Sequence, residues 1–127
     1  MEITAQLTNR AIEPPAFRPA GNTGAVAEFN GIVRGEENGA AISALRYEAY
    51  ESMAVREIER LLNELAREFP CHRAWVIHRH GWVPAGESAI FVRIESRHRR
   101  EVFALLAAFM DRLKLDVPIW KVETRAA

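Results

Sequence analysis

The hydrophobic period changes several times along the chain, and each change marks an element. Ile3 to Thr8 alternates well enough for a short half-buried strand. Glu13-Pro14-Pro15-Ala16 and Arg18-Pro19-Ala20-Gly21 follow with turn chemistry. Apolar residues return from Gly24, and the run to Arg34 predicts a second strand. Gly35-Glu36-Glu37-Asn38-Gly39 predicts a polar, flexible loop. Ile42 to Tyr50 predicts a long strand, because Leu45, Tyr47 and Ala49 alternate with Arg46, Glu48 and Tyr50.

The period then switches to that of a helix. From Glu51 to Phe69, the residues Met53, Ile58, Leu61, Leu62, Leu65 and Phe69 fall on one face. Arginines and glutamates fill the other face, Glu57 and Arg60 at pairing distance, and Pro70 ends the run. Ala74 to His80 and Ser88 to Ser96 predict two strands, with Gly81 and Pro84-Ala85-Gly86 as turns between them. Ile90, Val92 and Ile94 share one face of the second. A second helix is expected from about His98 to Lys114, with Val102, Leu105, Leu106, Phe109 and Leu113 inward. Pro118 bars its continuation, and Ile119 to Thr124 predicts a last strand. Strands in adjacent pairs, with only two amphipathic helices, point to an α+β fold with an antiparallel or mixed sheet and the helices on one side. Neither a dinucleotide glycine fingerprint nor a P-loop is present.

Composition narrows the function. A length of 127 residues suits one domain spanning 1–127, and 49% apolar content can fill a core. The formal net charge is zero, so no global field holds nucleic acid or an acidic membrane. Any anion site must be a local cluster. The start lacks the regions of a signal peptide, and no apolar run reaches membrane-span length. The single cysteine, Cys71, excludes an internal disulfide and fits a reducing cytoplasm.

Charge identity carries more information than net charge. Of the seventeen lysines and arginines only two are lysine, Lys114 and Lys121, both within Asp111–Lys121. A desolvated amine can lose its proton, act as acid or base, or attack a carbonyl carbon, which a guanidinium cannot do near neutral pH. A structural reading stands beside this one: a cation near a helix C-terminus gains roughly 0.3–1 kcal/mol from the macrodipole. Pro118 puts Lys114 at a helix end and Lys121 in the next strand, so the two meet only if the chain folds back across a shared pocket. Ser96-Arg97-His98-Arg99-Arg100 places several cations at the start of a helix, where the macrodipole is already positive. A bound phosphate or carboxylate would relieve that conflict, as would pairing with Glu95 or Glu101. Arg34, at a strand end, could fork an anion or form a surface ion pair. His78 and His80 share a strand face, which permits metal binding, but the one cysteine is distant and there is no helical H-E-x-x-H, so no metal site is expected. Cys71 reads as an incidental thiol.

Together these pieces resemble the catalytic, large-subunit family of molybdopterin synthase. The resemblance rests on Phe29-Asn30-Gly31-Ile32-Val33-Arg34, Tyr47 to Ala54, Val76-Ile77-His78-Arg79-His80-Gly81, Ser96 to Phe103, and Met110 to Lys114 through Pro118-Ile119-Trp120-Lys121. It covers roughly residues 24–123. It implies an α/β hammerhead with a small additional β element, and a homodimer that docks a small ubiquitin-like carrier at each end, a heterotetramer. The carrier's Gly-Gly tail, as a thiocarboxylate, would deliver sulfur to cyclic pyranopterin monophosphate and form the molybdopterin dithiolene, with no metal or other cofactor. Residue by residue, Lys114 matches the family's essential lysine and Lys121 its second pocket lysine. His98 and Arg99 match the anion-binding pair, Arg34 matches the pocket arginine before a mobile loop, and Arg100 is adjacent. The chain departs from the family in its short C-terminus, in Val122 and in the loop after Gly81. Two other readings remain: a non-enzymatic module that binds the tail of a ubiquitin-like partner, and a lysine Schiff-base enzyme for a small phosphorylated carbonyl compound.

Overall fold

The computed structural model describes all 127 residues, Met1–Ala127. The elements are β1 (Glu2–Thr8), β2 (Ala25–Ile32), β3 (Glu36–Glu37), β4 (Ala40–Ala49), α1 (Glu51–Glu68), β5 (Arg73–Arg79), β6 (Gly81–Pro84), β7 (Ser88–Ser96), α2 (Arg99–Asp116) and β8 (Ile119–Ala126). They form two sheets. The larger has the order β1-β5-β7-β2, with β1 parallel to β5 and the other pairs antiparallel. The smaller has the order β3-β4-β6, with β8 also paired to β4. The α+β architecture expected from the strand pairs is the one observed, and both helices lie on one face of the larger sheet.

That face holds the main core. Ala54, Ile58, Leu61, Leu62 and Leu65 of α1 meet Val102, Leu105, Phe109 and Leu113 of α2 over Ala74, Val76, Ile90, Val92 and Ile94. Burying each large side chain contributes about 1.5–3 kcal/mol. A second cluster, Val33, Ile42, Leu45, Val83 and Ala89, seats the smaller sheet.

β7 is buried on both faces, not on one. Its far face carries Phe91, Arg93 and Glu95, and the segment between β1 and β2 folds across them. Arg93 is ion-paired to Glu28 at 2.6 Å, donates to the Pro15 carbonyl at 2.8 Å and lies over the Phe17 and Phe91 rings. Arg73 forks Glu95 and also donates to the Arg18 carbonyl. The charges on this strand are tolerated because they are paired.

Several expected boundaries move, among them the end of β2, which stops at Ile32 and leaves Arg34 beyond the strand. The loop Gly35–Gly39 contains β3, because Asn38 (φ 52°) and Gly39 (φ 80°) make a two-residue hairpin turn onto β4. The turn region after His80 contains β6, entered through Gly81 at φ 81° and ended by Pro84, which sits where the ladder stops. α2 continues past Lys114 to Asp116, and β8 continues to Ala126 along β4. Met53 does not point inward: it is 48% exposed, and Ala54, the next residue, takes the core position.

Candidate functional site

The start of α2 is built around an uncapped N-terminus. His98 is the N-cap in extended conformation, and its side chain makes no capping bond. The free N–H groups of the first turn therefore remain available to an anion. Arg99 and Arg100 open the helix, and Arg97 precedes it. None of these three arginines pairs with a carboxylate. Glu95 is taken by Arg73 at 2.6 Å, and the Oε2 of Glu101 is buried without a partner. The ion-pair alternative for this cluster is thus absent, and the local positive charge is uncompensated. A cavity of about 420 Å³ opens here, lined by Gly24, Arg97, His98, Arg99 and Arg100. Gly24 makes this corner possible: its N–H donates to the Ser96 carbonyl at 2.9 Å, and a Cβ there would sit 2.1 Å from the Arg97 carbonyl oxygen.

The lysines occupy the other end of the molecule's functional residues. Lys114 lies in the last turn of α2, exposed, with no carboxylate within pairing distance. Arg112 holds Glu64 at 3.0 Å and Asp116 at 2.9 Å, and Asp111, three positions before Lys114, makes no ion pair. Lys121 lies on β8 opposite Tyr47, and its Nζ donates to Glu37 Oε1 at 3.2 Å. Arg34 follows β2, exposed and unpaired, fixed through its buried neighbour Val33, whose N–H bonds to the Glu87 carbonyl at 3.0 Å.

The fold does not gather these groups within one chain. His98 caps the start of α2 and Lys114 lies in its last turn, 16 positions apart in sequence. At a rise of 1.5 Å per residue they are separated by about 24 Å. Lys121 and Arg34 belong to the smaller sheet region and Lys114 to the helix end that leads into it.

The remaining candidates settle into structural roles. His80 lies outside β5 and pairs with Glu51 at 2.9 Å, whereas His78 is buried with Nδ1 donating to the Arg79 carbonyl at 2.8 Å. The expected common strand face for the two is therefore lost, because β5 ends at Arg79. No group of three or more His, Cys, Asp or Glu side chains is placed to hold a metal ion. Cys71 is buried, and burial pushes its thiol up to about 11, so it stays protonated and unreactive near neutral pH. Gly24, Glu37 and Tyr47 belong to the site's surroundings but were not singled out by sequence. Glu37 gave no signal, since its partner is 84 positions away.

Residues 3–116 match the family described as MoaE protein. The molybdopterin synthase catalytic subunit of Pyrococcus abyssi is 40% identical over 111 residues, which cover 87% of this chain and 75% of that relative. Among solved structures, molybdopterin synthase from Staphylococcus aureus superposes with a TM-score of 0.84 at 25% identity, over 94% of this chain and 93% of that one. A protein–protein complex of subunits 1 and 2 of molybdopterin-converting factor from Helicobacter pylori superposes with a TM-score of 0.68 at 26% identity, over 84% and 73% of the two chains. The chain therefore belongs to the MoaE family of molybdopterin synthase catalytic subunits, enzymes that transfer sulfur in molybdenum cofactor biosynthesis.

Proposed function

We propose that the chain moves sulfur from the C-terminal thiocarboxylate of a small ubiquitin-like carrier to cyclic pyranopterin monophosphate, forming the molybdopterin dithiolene. His98, Arg99 and Arg100, with the free amides of α2, hold the substrate phosphate. Arg34 and Lys121 receive the carrier's anionic tail. Lys114 works at the acyl carbon, as a proton carrier or as a nucleophile. Each transfer forms one C–S bond at a substrate carbon as a C–O bond there breaks, the oxygen leaving with the phosphate or as water; water then cleaves the acyl C–S bond and restores a carboxylate on the carrier. Two carriers in succession complete one product. The complex of two subunits among the solved relatives supports a small-subunit partner.

The observation that carries this reading is the arrangement along α2: an unpaired cation cluster at one end and an unpaired amine at the other. One pterin monophosphate is far shorter than the helix, so one chain cannot present both ends to it. A two-fold homodimer supplies the missing half, because antiparallel α2 helices bring Lys114 toward the cation cluster of the second copy. Phe103 on α2, and Phe29 and Ile32 on or beside the free edge of β2, are exposed apolar side chains of the kind a second copy covers. Lys114 is exposed in the single chain, so its desolvation must come from the docked tail and the second copy.

The test is reconstitution with thiocarboxylated carrier and cyclic pyranopterin monophosphate, with the dithiolene measured directly. Product formation at a catalytic ratio supports the proposal. A stable complex without product would instead identify a module that only binds the tail.

A further inference from the structure

The smaller sheet is rolled much further than its strand lengths suggest. In register, Glu37 lies opposite Ala40 and Lys121 opposite Tyr47, so their positions are seven residues apart along β4. A flat strand would separate them by about 23 Å at ~3.3 Å per residue. The two side chains span only part of that distance, yet Lys121 Nζ and Glu37 Oε1 are 3.2 Å apart. Two bulges allow this bend: Ser43 is the extra residue in β4 between Ile42 and Ala44, and Val122 is the extra residue in β8 opposite the Arg46–Tyr47 step. The Tyr47 hydroxyl lies in the same field: burial raises its pKa most, and the Glu37 carboxylate adds to the rise.

The contact joins two pieces of chain with different tasks. Glu37 sits on a two-residue strand that begins two positions after Arg34, and the Gly35 carbonyl between them accepts the Ile42 N–H at 3.0 Å. A hairpin this short has little stability of its own. Lys121 sits on β8, at the opposite edge of the rolled sheet. The Glu37 side chain is 20% exposed and that of Lys121 46%, so the carboxylate is tucked in while the amine faces outward. An ammonium has three donors, and Glu37 takes one, leaving two for an anion.

We infer that Glu37 is a positioning residue whose ion pair with Lys121 clasps the Arg34-bearing hairpin to β8 and sets the spacing of the two cations that receive the carrier tail. The inference rests on the assignment of Arg34 and Lys121 proposed above. The carboxylate also offsets the repulsion between two cations that must wait, unliganded, for the same anion. Glu36 is its built-in control: it lies on the same two-residue strand, is exposed and makes no ion pair.

Steady-state kinetics with thiocarboxylated carrier tests the clasp. Glu37→Gln should raise KM for the carrier by a factor of about two to five, the range of a partly exposed ion pair, and leave kcat unchanged. The rise should shrink at high salt, and Glu37→Asp should restore part of the affinity. Binding of a carrier that lacks its last two glycines should not change. An unaltered KM in Glu37→Gln, a fall confined to kcat, or an equal rise in Glu36→Gln would overturn the inference. Hydrogen exchange of the carrier-free chain separates the clasp from the sulfur chemistry. The Ile42 amide should exchange faster, by a similar factor, in Glu37→Gln and in Lys121→Gln, with no further gain in the double variant. If exchange responds this way while even the unaltered chain makes no dithiolene, the functional reading fails and the clasp stands. If product forms and neither exchange nor KM moves, the clasp is wrong.

Discussion

At the residue scale, two side chains have consequences that can be separated by experiment. Lys114 is exposed and packs into neither core, so its substitution should not disturb the fold. Lys114→Ala should lower dithiolene formation by about a hundredfold or more, the range for loss of an acid–base group, with the carrier still bound. Lys114→Arg should fail similarly, because a guanidinium keeps the charge and not the transferable proton. Normal turnover in either variant removes Lys114 from the chemistry. His78 is the opposite case, buried beside the Tyr47 ring at 5.5 Å and given no part in the proposed chemistry. Burial lowers its pKa from the ordinary 6.5, more than its bond to the Arg79 carbonyl raises it, and His80 lowers it further. The unfolded chain therefore takes up a proton that the folded chain refuses. The stability contribution is complete above about pH 6.5 and is lost as pH falls below it toward the folded pKa, by about 1.4 kcal/mol per unit of depression. Urea midpoints at pH values of about 7.5 and 5.5 should show this loss, and His78→Gln should flatten it. An equal loss in that variant would assign the acid sensitivity to other groups.

At the element scale, α2 depends on a glycine from another strand. Gly24 lets β2 start directly against the Arg97 carbonyl, and a methyl group there would overlap it at 2.1 Å. Because the obstacle is backbone, relief requires moving the Ser96–His98 connection, which sets where the arginine cluster begins. Gly24→Ala should cost about 1–3 kcal/mol, as overpacking does, and should weaken phosphate binding at the α2 start, measured by calorimetry. Unchanged phosphate affinity would show that the cluster tolerates the shift. Such dependence was not legible in the sequence, where Gly24 marks only the beginning of an apolar run. What was legible were elements long enough to show a period: both helices, β4, β5 and β7. The short strands β3 and β6, of two and four residues, are too brief for any period and were read as loop and turn. Both are held by pairing to β4 rather than by their own pattern. The far face of β7 carried no legible sign of burial, because Arg93 and Glu95 are covered only through the partners that neutralise them, Glu28 and Arg73.

At the scale of the whole molecule, the cations and the helix that separates His98 from Lys114 were both legible, and the Lys121–Glu37 contact was not. Composition pointed to Lys114 and Lys121, and the helix-start conflict pointed to His98, Arg99 and Arg100. Nothing in one sequence says that the halves of a site come from different copies. The length of α2, which puts about 24 Å between the amine and the cluster, is what motivates the proposed sharing of a site between two copies. If the proposed two-fold pairing is right, each site draws Lys114 from one copy and Arg99 from the other. Lys114→Ala and Arg99→Ala would then each be inactive alone and complementary when mixed. Random re-pairing of equal amounts makes half the dimers mixed, and each mixed dimer carries one intact site and one doubly damaged site. The mixture should thus recover about a quarter of the unaltered rate. The double variant Lys114→Ala/Arg99→Ala, mixed equally with the unaltered chain, should leave about a quarter of the rate, all of it from unaltered homodimers, because every mixed dimer then has one damaged component in each site; sites confined to one chain would leave about a half. Dithiolene formation after subunit exchange measures both. An inactive mixture of the two single variants, with exchange verified by mass, would mean that the chemistry is confined to one chain and that the α2 cluster binds something other than the substrate.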